Sequence, residues 1–379
     1  MRYPVLKFLT IAIILSLYFL LPVFSTLIVQ DTYNALISYI SPNPSDIIVY
    51  DINAKTPATS RLPLSLYTRL ISIDGVEAVS PETIVFTLVE NNLVIARGID
   101  ITQFTKFYDL KIVDGNNLTL NDTDSVLVGL NLAKKLGINI GKMLTIAGIG
   151  TSELLEVKVK GIFEVNNEYD EEILMPLFLA NILGGLPNDY VSYFRVKVNS
   201  NLNPSILYER FQNATPTKVQ DNTLLRYLIG ANVNYGLIKA SQSYSSMEEF
   251  LIKQLSISQY TIIGFLVVII ALTALLLRNI VEYYLNEMKL AKKIMKLLGA
   301  KRKKILNYLI SGWLIIFIFA LILSSFYIYI AIYVFNNFAN LYLFGHLIIF
   351  SIPTYEFGVL SFVILFLSLV FLYYDERKL

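Results

Sequence analysis

Glu168, Tyr169, Asp170, Glu171 and Glu172 form a dense acidic run in a chain of 379 residues. Carboxylates gathered this way can hold a divalent cation, and a pair at a fixed separation can pass protons in hydrolysis. The run lacks the Asp/Asn/Gly spacing of an EF-hand loop, so a solvated turn is the expected structure and cation binding the alternative. His346 is the sole histidine and lies in an apolar stretch; cysteine is absent. Disulfides, thiol nucleophiles, thiolate metal centres and histidine clusters are therefore excluded, and His346 reads as an ordinary packed side chain. No G-x-x-x-x-G-K-[ST] loop, G-x-S-x-G elbow or H-E-x-x-H pair occurs. The common P-loop, serine-hydrolase and zincin chemistries thus lie outside this chain. An ectoenzyme would need a catalytic carboxylate pair somewhere in residues 30–253.

Docking rather than catalysis is written in EMKLAKKIMKLLGAKRKKIL, Glu287 to Leu306. Eight of the 31 Lys and Arg residues fall within the sixteen positions from Lys289 to Lys304. A helix over Glu287 to Leu298 places Ala291, Ile294, Met295 and Leu298 on one stripe and Lys289, Lys292, Lys293 and Lys296 on another face. Gly299 can take the left-handed conformation that stops a helix. Lys301, Arg302, Lys303 and Lys304 then form a basic knot. Cations beside a membrane fix topology and meet anionic lipid, so membrane lipid is an expected partner and nucleic acid is not. The apolar stripe with its Gly stop fits a groove on another protein.

Around this stretch the chain is built for lipid. Hydrophobic residues make up 55% of it and mean hydropathy is +0.57, beyond the range of a soluble protein. Four uncharged runs, 9–29, 254–277, 305–335 and 357–374, are each long enough to cross about 30 Å of hydrocarbon as a helix. The first lacks the short apolar core and small-x-small site of a cleaved signal peptide, and reads as a retained anchor. Residues 278–304 hold nine Lys and Arg against Glu282 and Glu287, which makes that loop cytoplasmic by the positive-inside rule. Arg2 and Lys7 in the short amino terminus, 1–8, and Arg377 and Lys378 in the tail, 375–379, place both termini inside. Loop 336–356 has neither Lys nor Arg and falls outside. The expected fold class is a multi-pass plasma-membrane protein: four transmembrane α-helices with a large α+β extracytoplasmic domain, residues 30–253, between helices 1 and 2.

That segment carries 24 acids against 18 bases and is long enough for one or two cores. SDIIVYDI, ETIVFTLVE, NLVIARGID, SVLVGL, KMLTIAGI and LEVKVKGIFEV read as strands. PLSLYTRLISI, NLAKKLGI and ILMPLFLANIL carry helical spacing. Asn117, Asn121 and Asn213 lie in N-glycosylation sequons, all on the expected outer side. SYSSMEEFLIKQLSIS offers a capping box, Ser245 with Glu248 or Ser246 with Glu249, for a helix running on into the second span as a stalk.

With these features in place, NEMKLAKKIMKLLGAKRKKILNYLI resembles the cytoplasmic region of the MacB/FtsX/LolC-type ABC transporter permeases. There an acidic residue and a helix lead to Leu-Gly-Ala and a basic cluster before the third span. IDGVEAVSPE (Ile73 to Glu82) with ARGID (Ala96 to Asp100), DSVLVGLNLAKKLGINIGKMLTIAG and VKVKGIFEV resemble successive parts of the family's outer domain. The resemblance implies a non-catalytic permease subunit, a homodimer or heterodimer with a related permease. It would hold no cofactor or metal, while ATP and Mg sit on a separate cytoplasmic ABC ATPase. The implied docking residues are Glu287, Ala291, Ile294, Met295, Leu297, Leu298, Gly299 and Ala300, which would pass the nucleotide cycle to the outer domain for export or mechanical work. Without an ATPase, the same layout would serve a membrane-anchored receptor or adhesion protein.

Overall fold

The first uncharged run lies within a single long helix, α1 (Arg2–Ser38), which extends past 9–29 at both ends. Hydropathy marks where apolar side chains stop, whereas backbone hydrogen bonding continues through any flanking residue that tolerates a helix. The computed structural model describes residues 2–43, 46–199, 203–213, 238–242, 259–339, 341–343, 345–351 and 354–376. Two compact units result. One comprises Met1–Tyr33, Ile257–Leu341 and Ile348–Leu379; the other comprises Asn34–Ser256 and Tyr342–Leu347.

In the second unit, short β-rich runs alternate with brief helices. They are β1 (Ile47–Asp51), β2 (Leu62–Pro63), α2 (Leu66–Ile71), β3 (Val76–Val89), β4 (Asn92–Ile99), α3 (Ile101–Phe104), β5 (Lys111–Gly115), β6 (Ser125–Gly129), α4 (Leu130–Leu136), β7 (Met143–Gly148), β8 (Leu154–Glu164), β9 (Ile173–Pro176), α5 (Leu177–Gly184), β10 (Tyr190–Val191), β11 (Tyr193–Val198), α6 (Pro204–Asn213) and β12 (Ile238–Gln242). Among the described residues, ten strands join in one sheet, ordered β12-β1-β11-β3-β4-β9-β6-β8-β5, with β7 pairing β3 and β8. The sheet is mixed, since β4 with β9 and β6 with β8 run parallel. Strand β6, SVLVG, is buried along its whole length, as an unbroken apolar run requires. Val126, Val128, Ile146 and Val159 pack with Leu132 of α4 and Leu183 of α5. A second core joins Val49 and Phe194 to Leu66 and Leu70 of α2 and to Leu207 and Phe211 of α6.

The helix expected over ILMPLFLANIL is divided, with Ile173–Pro176 in the sheet and only Leu177–Gly184 helical. Pro176 has no N–H to donate, so it suits the end of a strand and the residue before a helix, where its ψ of 142° starts α5. Neither β5 nor β11 is among the strands expected from sequence.

The helical unit continues with α7 (Gln259–Glu287), α8 (Lys289–Leu297), α9 (Arg302–Val334), a π turn over Phe335–Ala339, and α10 (Thr354–Glu376). The expected stalk start at Ser245, Ser246, Glu248 and Glu249 lies outside the described residues. Four of these helices are long and apolar enough to cross a membrane: Lys7–Ala35 in α1, Ile263–Glu287 in α7, Arg302–Phe338 around α9, and Phe357–Asp375 in α10. Helix α7 runs ten residues past Leu277, so the first part of the expected loop 278–304 is helical. Ile280, Val281, Tyr284 and Leu285 are buried there, an amphipathic stripe that carries the helix beyond the uncharged run.

Ile11, Leu15 and Phe19 of α1 pack with Val281 and Tyr284 of α7, and with Trp313 and Phe317 of α9. Tyr284 and Trp313, buried in this apolar setting, both find hydrogen-bond partners, as the absence of water favours. Tyr284 Oη donates to the Leu309 carbonyl at 2.9 Å and Trp313 Nε1 to Ser368 Oγ at 2.8 Å. Gly312 makes room for the tyrosine, because a Cβ there would lie 2.6 Å from its hydroxyl. Between α9 and α10 the described residues build a defined structure. Asn336 brackets Phe350, its Nδ2 donating to the carbonyl at 3.0 Å and its Oδ1 accepting the N–H at 2.9 Å. The two-residue strands β13 (Tyr342–Leu343) and β14 (His346–Leu347) form a hairpin that belongs to the sheet-bearing unit, termed the outer unit after its expected side of the membrane.

Candidate functional site

Two constellations stand out, one in each unit. In the helical unit, α7 ends at Glu287 and α8 starts at Lys289, so the helix expected over Glu287–Leu298 is a separate short rod after a break at Met288. Lys7 Nζ lies 2.6 Å from Glu287 Oε2. The rod ends as LLGA predicts. Gly299 has φ 79°, its N–H donates to the Lys296 carbonyl, and the Ala300 N–H donates to the Met295 carbonyl, both at 3.0 Å. Those paired bonds satisfy the last carbonyls in a Schellman stop, and only glycine takes that φ without strain.

The face presented outward differs from the expected stripe. Leu290, Ile294, Leu297 and Leu298 are 70%, 49%, 79% and 81% exposed, while Ala291, Met295 and Ala300 are half-buried. Met295 and Ala300 pack on the helical core. Lys292, expected among the exposed cations, is 8% exposed. A stripe drawn from spacing alone identifies the apolar arc of a helix, but not which edge of that arc the bundle takes. Lys289, Lys293, Lys296, Lys301, Arg302, Lys303 and Lys304 are exposed. Four uncovered aliphatic side chains on a cation-rimmed rod form an apolar patch of the kind that seats in a protein groove.

In the outer unit a buried charge cluster was not foreseen from sequence. Register sets it up: β3 pairs with β4 on one side and β11 on the other, so Glu82 lies opposite Tyr193 and two rows from Arg97 and Arg195. Arg97 grips Glu172 through Nε at 2.6 Å and Nη2 at 2.7 Å, and reaches Glu82 through Nη1 at 3.1 Å. Arg195 grips Glu82 through Nε at 2.7 Å and Nη2 at 2.9 Å, and its Nη1 meets Asp46 and Ser41. Tyr193 Oη donates to Glu82 at 2.6 Å. Arg97 also donates to the carbonyls of Tyr39 and Ile40 at 3.4 and 3.3 Å, so the residues just after α1 end on this cluster. Glu82, Arg97, Glu172 and Arg195 are wholly buried.

Burial alone would push the Glu82 and Glu172 carboxyls up, but Arg195 and Arg97 outweigh it and hold both below the usual range. Tyr39 and Tyr108 are pushed up to about 12 by burial. The arginines are each paired bidentately, which is the arrangement that makes burial of charge tolerable.

The acidic run is therefore no solvated turn. Its first four residues form a 3₁₀ turn, and Asp170, Glu171 and Glu172 are buried. Every one of these buried carboxylates is engaged by a neighbour. Glu172 holds Arg97, Asp170 accepts the N–H groups of Val165 and Asn166 at 2.6 and 3.0 Å, and Glu171 accepts the Leu347 N–H. Burial pushes the Asp170 and Glu171 carboxyls up. His346, read as an ordinary packed residue, puts Nε2 3.1 Å from Glu172 Oε1. Among the described residues no three His, Asp or Glu side chains are grouped to hold a metal ion. Glu82 and Glu172, which share Arg97, are each sealed against arginine rather than set as an open acid–base pair. The available signal was a charge inside a β run, as in VIARGID, VSPETIVF and YFRVKV. A strand that buries both faces must pair such a charge. Of the sequon residues, Asn117 is half-buried and Asn121 exposed; Asn213 ends α6, and the rest of its sequon lies outside the described residues.

With both sites placed, comparison with known proteins is informative. The family model of the MacB-like periplasmic core domain matches residues 9–214, and that of the FtsX-like permease C-terminal region matches residues 263–375. The chain is similar to a solved extracellular domain of the noncanonic ABC-type transporter YknZ from Gram-positive bacteria. Identity is 17% and TM-score 0.34, covering 52% of this chain and 99% of that one. It is similar also to a domain of a permease protein from Porphyromonas gingivalis, at 15% identity and TM-score 0.31, covering 52% and 90%. No curated protein matches the chain. The receptor or adhesion reading finds no support in these matches.

Proposed function

The chain belongs to the FtsX-like permease family of ABC transporters and carries a MacB-like periplasmic core domain; from that premise we propose that a separate cytoplasmic ATPase drives it through α8. The observation that carries the proposal is the outward face of α8. Leu290, Ile294, Leu297 and Leu298 are exposed on a rod whose end is fixed by Gly299, and leaving four aliphatic side chains in water is unfavourable unless something covers them.

In this reading both termini and α8 are cytoplasmic, residues 30–253 are extracytoplasmic, and the ATPase holds ATP and Mg. The permease works as a homodimer or with a related permease. Force applied at α8 passes into α7, and α1 is continuous as far as Ser38. Among the described residues the four long helices bury Ser16, Thr273, Ser324 and Ser368 but, apart from Asp375 at the end of α10, no charged group. That lining gives an ion or a sugar no polar path. Mechanical work on the outer unit, or handling of an amphipathic, lipid-like cargo, fits it better.

Purification in mild detergent from the native membrane tests the proposal. A P-loop ATPase should co-purify, and Leu298→Asp or Gly299→Pro should abolish its retention while membrane insertion persists. Recovery of the chain alone, or unaltered retention in both variants, would contradict it.

A further inference from the structure

Leu88 of β3 pairs with Leu93 of β4 on one side and with Ala147 of β7 on the other, and Ala147 pairs in turn with Leu154 of β8. Directly opposed residues share a face of the sheet, so these four apolar side chains form one row across four strands. The row is uncovered. Leu88, Leu93 and Leu154 are 45%, 37% and 58% exposed, and Ile149, whose N–H donates to the Phe86 carbonyl at 2.8 Å, is 48% exposed beside them. Charge of both signs rims the row: Glu90 pairs with Lys142 at 2.6 Å, and Glu156 and Lys158 stand exposed on β8. An apolar strip inside a polar rim marks a docking surface, on protein or on membrane.

The course of the chain after α1 decides between them. The Tyr39 ring lies 6.0 Å from that of Phe86, the Ile40 carbonyl accepts from Arg97, which is paired opposite Ile84, and Ser41 meets Arg195, which is paired opposite Ser80. Ser80, Ile84, Phe86 and Leu88 alternate along one face of β3. From Tyr39 to Ser41 the chain therefore runs along that face from Phe86 toward Ser80, and followed backwards it arrives from the Leu88 end. The apolar span Lys7–Ala35 ends only four residues before Tyr39, and the helix between them, continuous to Ser38, rises about 1.5 Å per residue, which sets Tyr39 about 6 Å beyond the span. A second segment leaving lipid reaches the same place. Gly345, seven residues past the end of the third span at Phe338, approaches β4 so closely that an added Cβ would lie 3.0 Å from the Leu93 carbonyl oxygen.

We propose that the row Leu93–Leu88–Ala147–Leu154 rests on the phospholipid surface from which α1 emerges, with the leucines at the boundary between headgroups and acyl chains and the charged rim among the headgroups. Seating apolar side chains about 5–10 Å into that boundary removes them from water. Glu90 and Lys142, Glu156 and Lys158 carry equal numbers of each sign, which suits a zwitterionic headgroup layer. The row gives the outer unit a hold on the bilayer in addition to its covalent connections, at the end of the same strand that carries the buried Glu82. Nothing in this contact needs an ATPase, so it stands or falls apart from coupling through α8.

Depth-sensitive quenching tests this. The chain has no cysteine, so Leu88→Cys, Leu93→Cys or Leu154→Cys can each carry a single bimane label in the full chain, reconstituted in phosphatidylcholine nanodiscs without any ATPase. Replacing the lipid with one brominated on the upper acyl chain should lower emission about twofold or more at all three positions, as contact at that depth requires. A label on Glu77→Cys, exposed near the start of β3 and roughly 36 Å from Leu88 along an extended strand, should be unaffected. Adding Leu88→Glu and Leu154→Glu should abolish quenching of the label at Leu93→Cys, with pulse proteolysis in urea as the check of folding. Absence of quenching at Leu88→Cys and Leu93→Cys would overturn the proposal. So would undiminished quenching in the folded charged variant, which would leave mere nearness to lipid. A disulfide joining two copies through Leu88→Cys without quenching would overturn it too, by making the row an interface between chains.

Discussion

Arg97→Met is the most telling perturbation of the outer unit. The natural side chain is wholly buried, holds Glu172 through two bonds of 2.6 and 2.7 Å, touches Glu82 at 3.1 Å, and donates to two carbonyls. Methionine fills much of the volume but leaves Glu172 with only His346, and Glu82 with one guanidinium in place of two. Removing one member of a buried ion pair costs about 3–5 kcal/mol. Replacing both members with apolar groups is often nearly neutral, so Arg97→Met with Glu172→Leu should recover most of that loss. For a unit of this size each kcal/mol moves the midpoint by about 2–4 °C, which puts the single variant at roughly 6–20 °C below the natural chain. Pulse proteolysis in urea on the membrane-embedded protein gives the free energies directly. A single-variant loss under about 1 kcal/mol would refute the reasoning, as would a double variant no more stable than the single.

Acid should unfold the outer unit through the same cluster. The folded values of Glu82 and Glu172 are depressed by the arginines, so their stabilisation is present above the unfolded value and is lost as pH falls below about 4. Urea midpoints measured from pH 7 to pH 3 should drop in that lower window, and the drop should shrink in the Arg97→Met, Glu172→Leu double variant. In the helical unit, Ser368→Ala strands the buried Trp313 N–H and should cost about 1–3 kcal/mol, whereas Tyr284→Phe removes a donor from an already bonded helix carbonyl and should cost about 0.5–1.5 kcal/mol. Thermal unfolding in detergent, followed by the fluorescence of the single tryptophan, ranks the two.

Much of the helical unit was legible in the sequence because its signals are local. Uncharged runs of lipid-crossing length mark α1, α7, α9 and α10, and Leu298-Gly299-Ala300 marks the stop of α8. What local pattern misses is set by partners far along the chain. Glu172 binds an arginine 75 positions away, and Glu82 meets Arg195 113 positions away, so nothing near the acidic run tells a hydrated turn from a buried one. The inner edge of α8 was misplaced for a similar reason. Its apolar arc spans both Met295 and Leu290, and packing in the bundle decides which of them faces out. Strand β9 escaped because ILMP joins a true helix across Pro176, and hydrophobic spacing alone does not separate three buried strand residues from a helix start.

The docking role of α8 is tested most directly by a photo-crosslinking amino acid placed at Leu297, its side chain 79% exposed, in cells making the full chain. Irradiation should yield one dominant adduct with a cytoplasmic protein that contains a P-loop nucleotide-binding domain. An adduct only with lipid, or one formed with a protein of the extracytoplasmic compartment, would contradict the assignment.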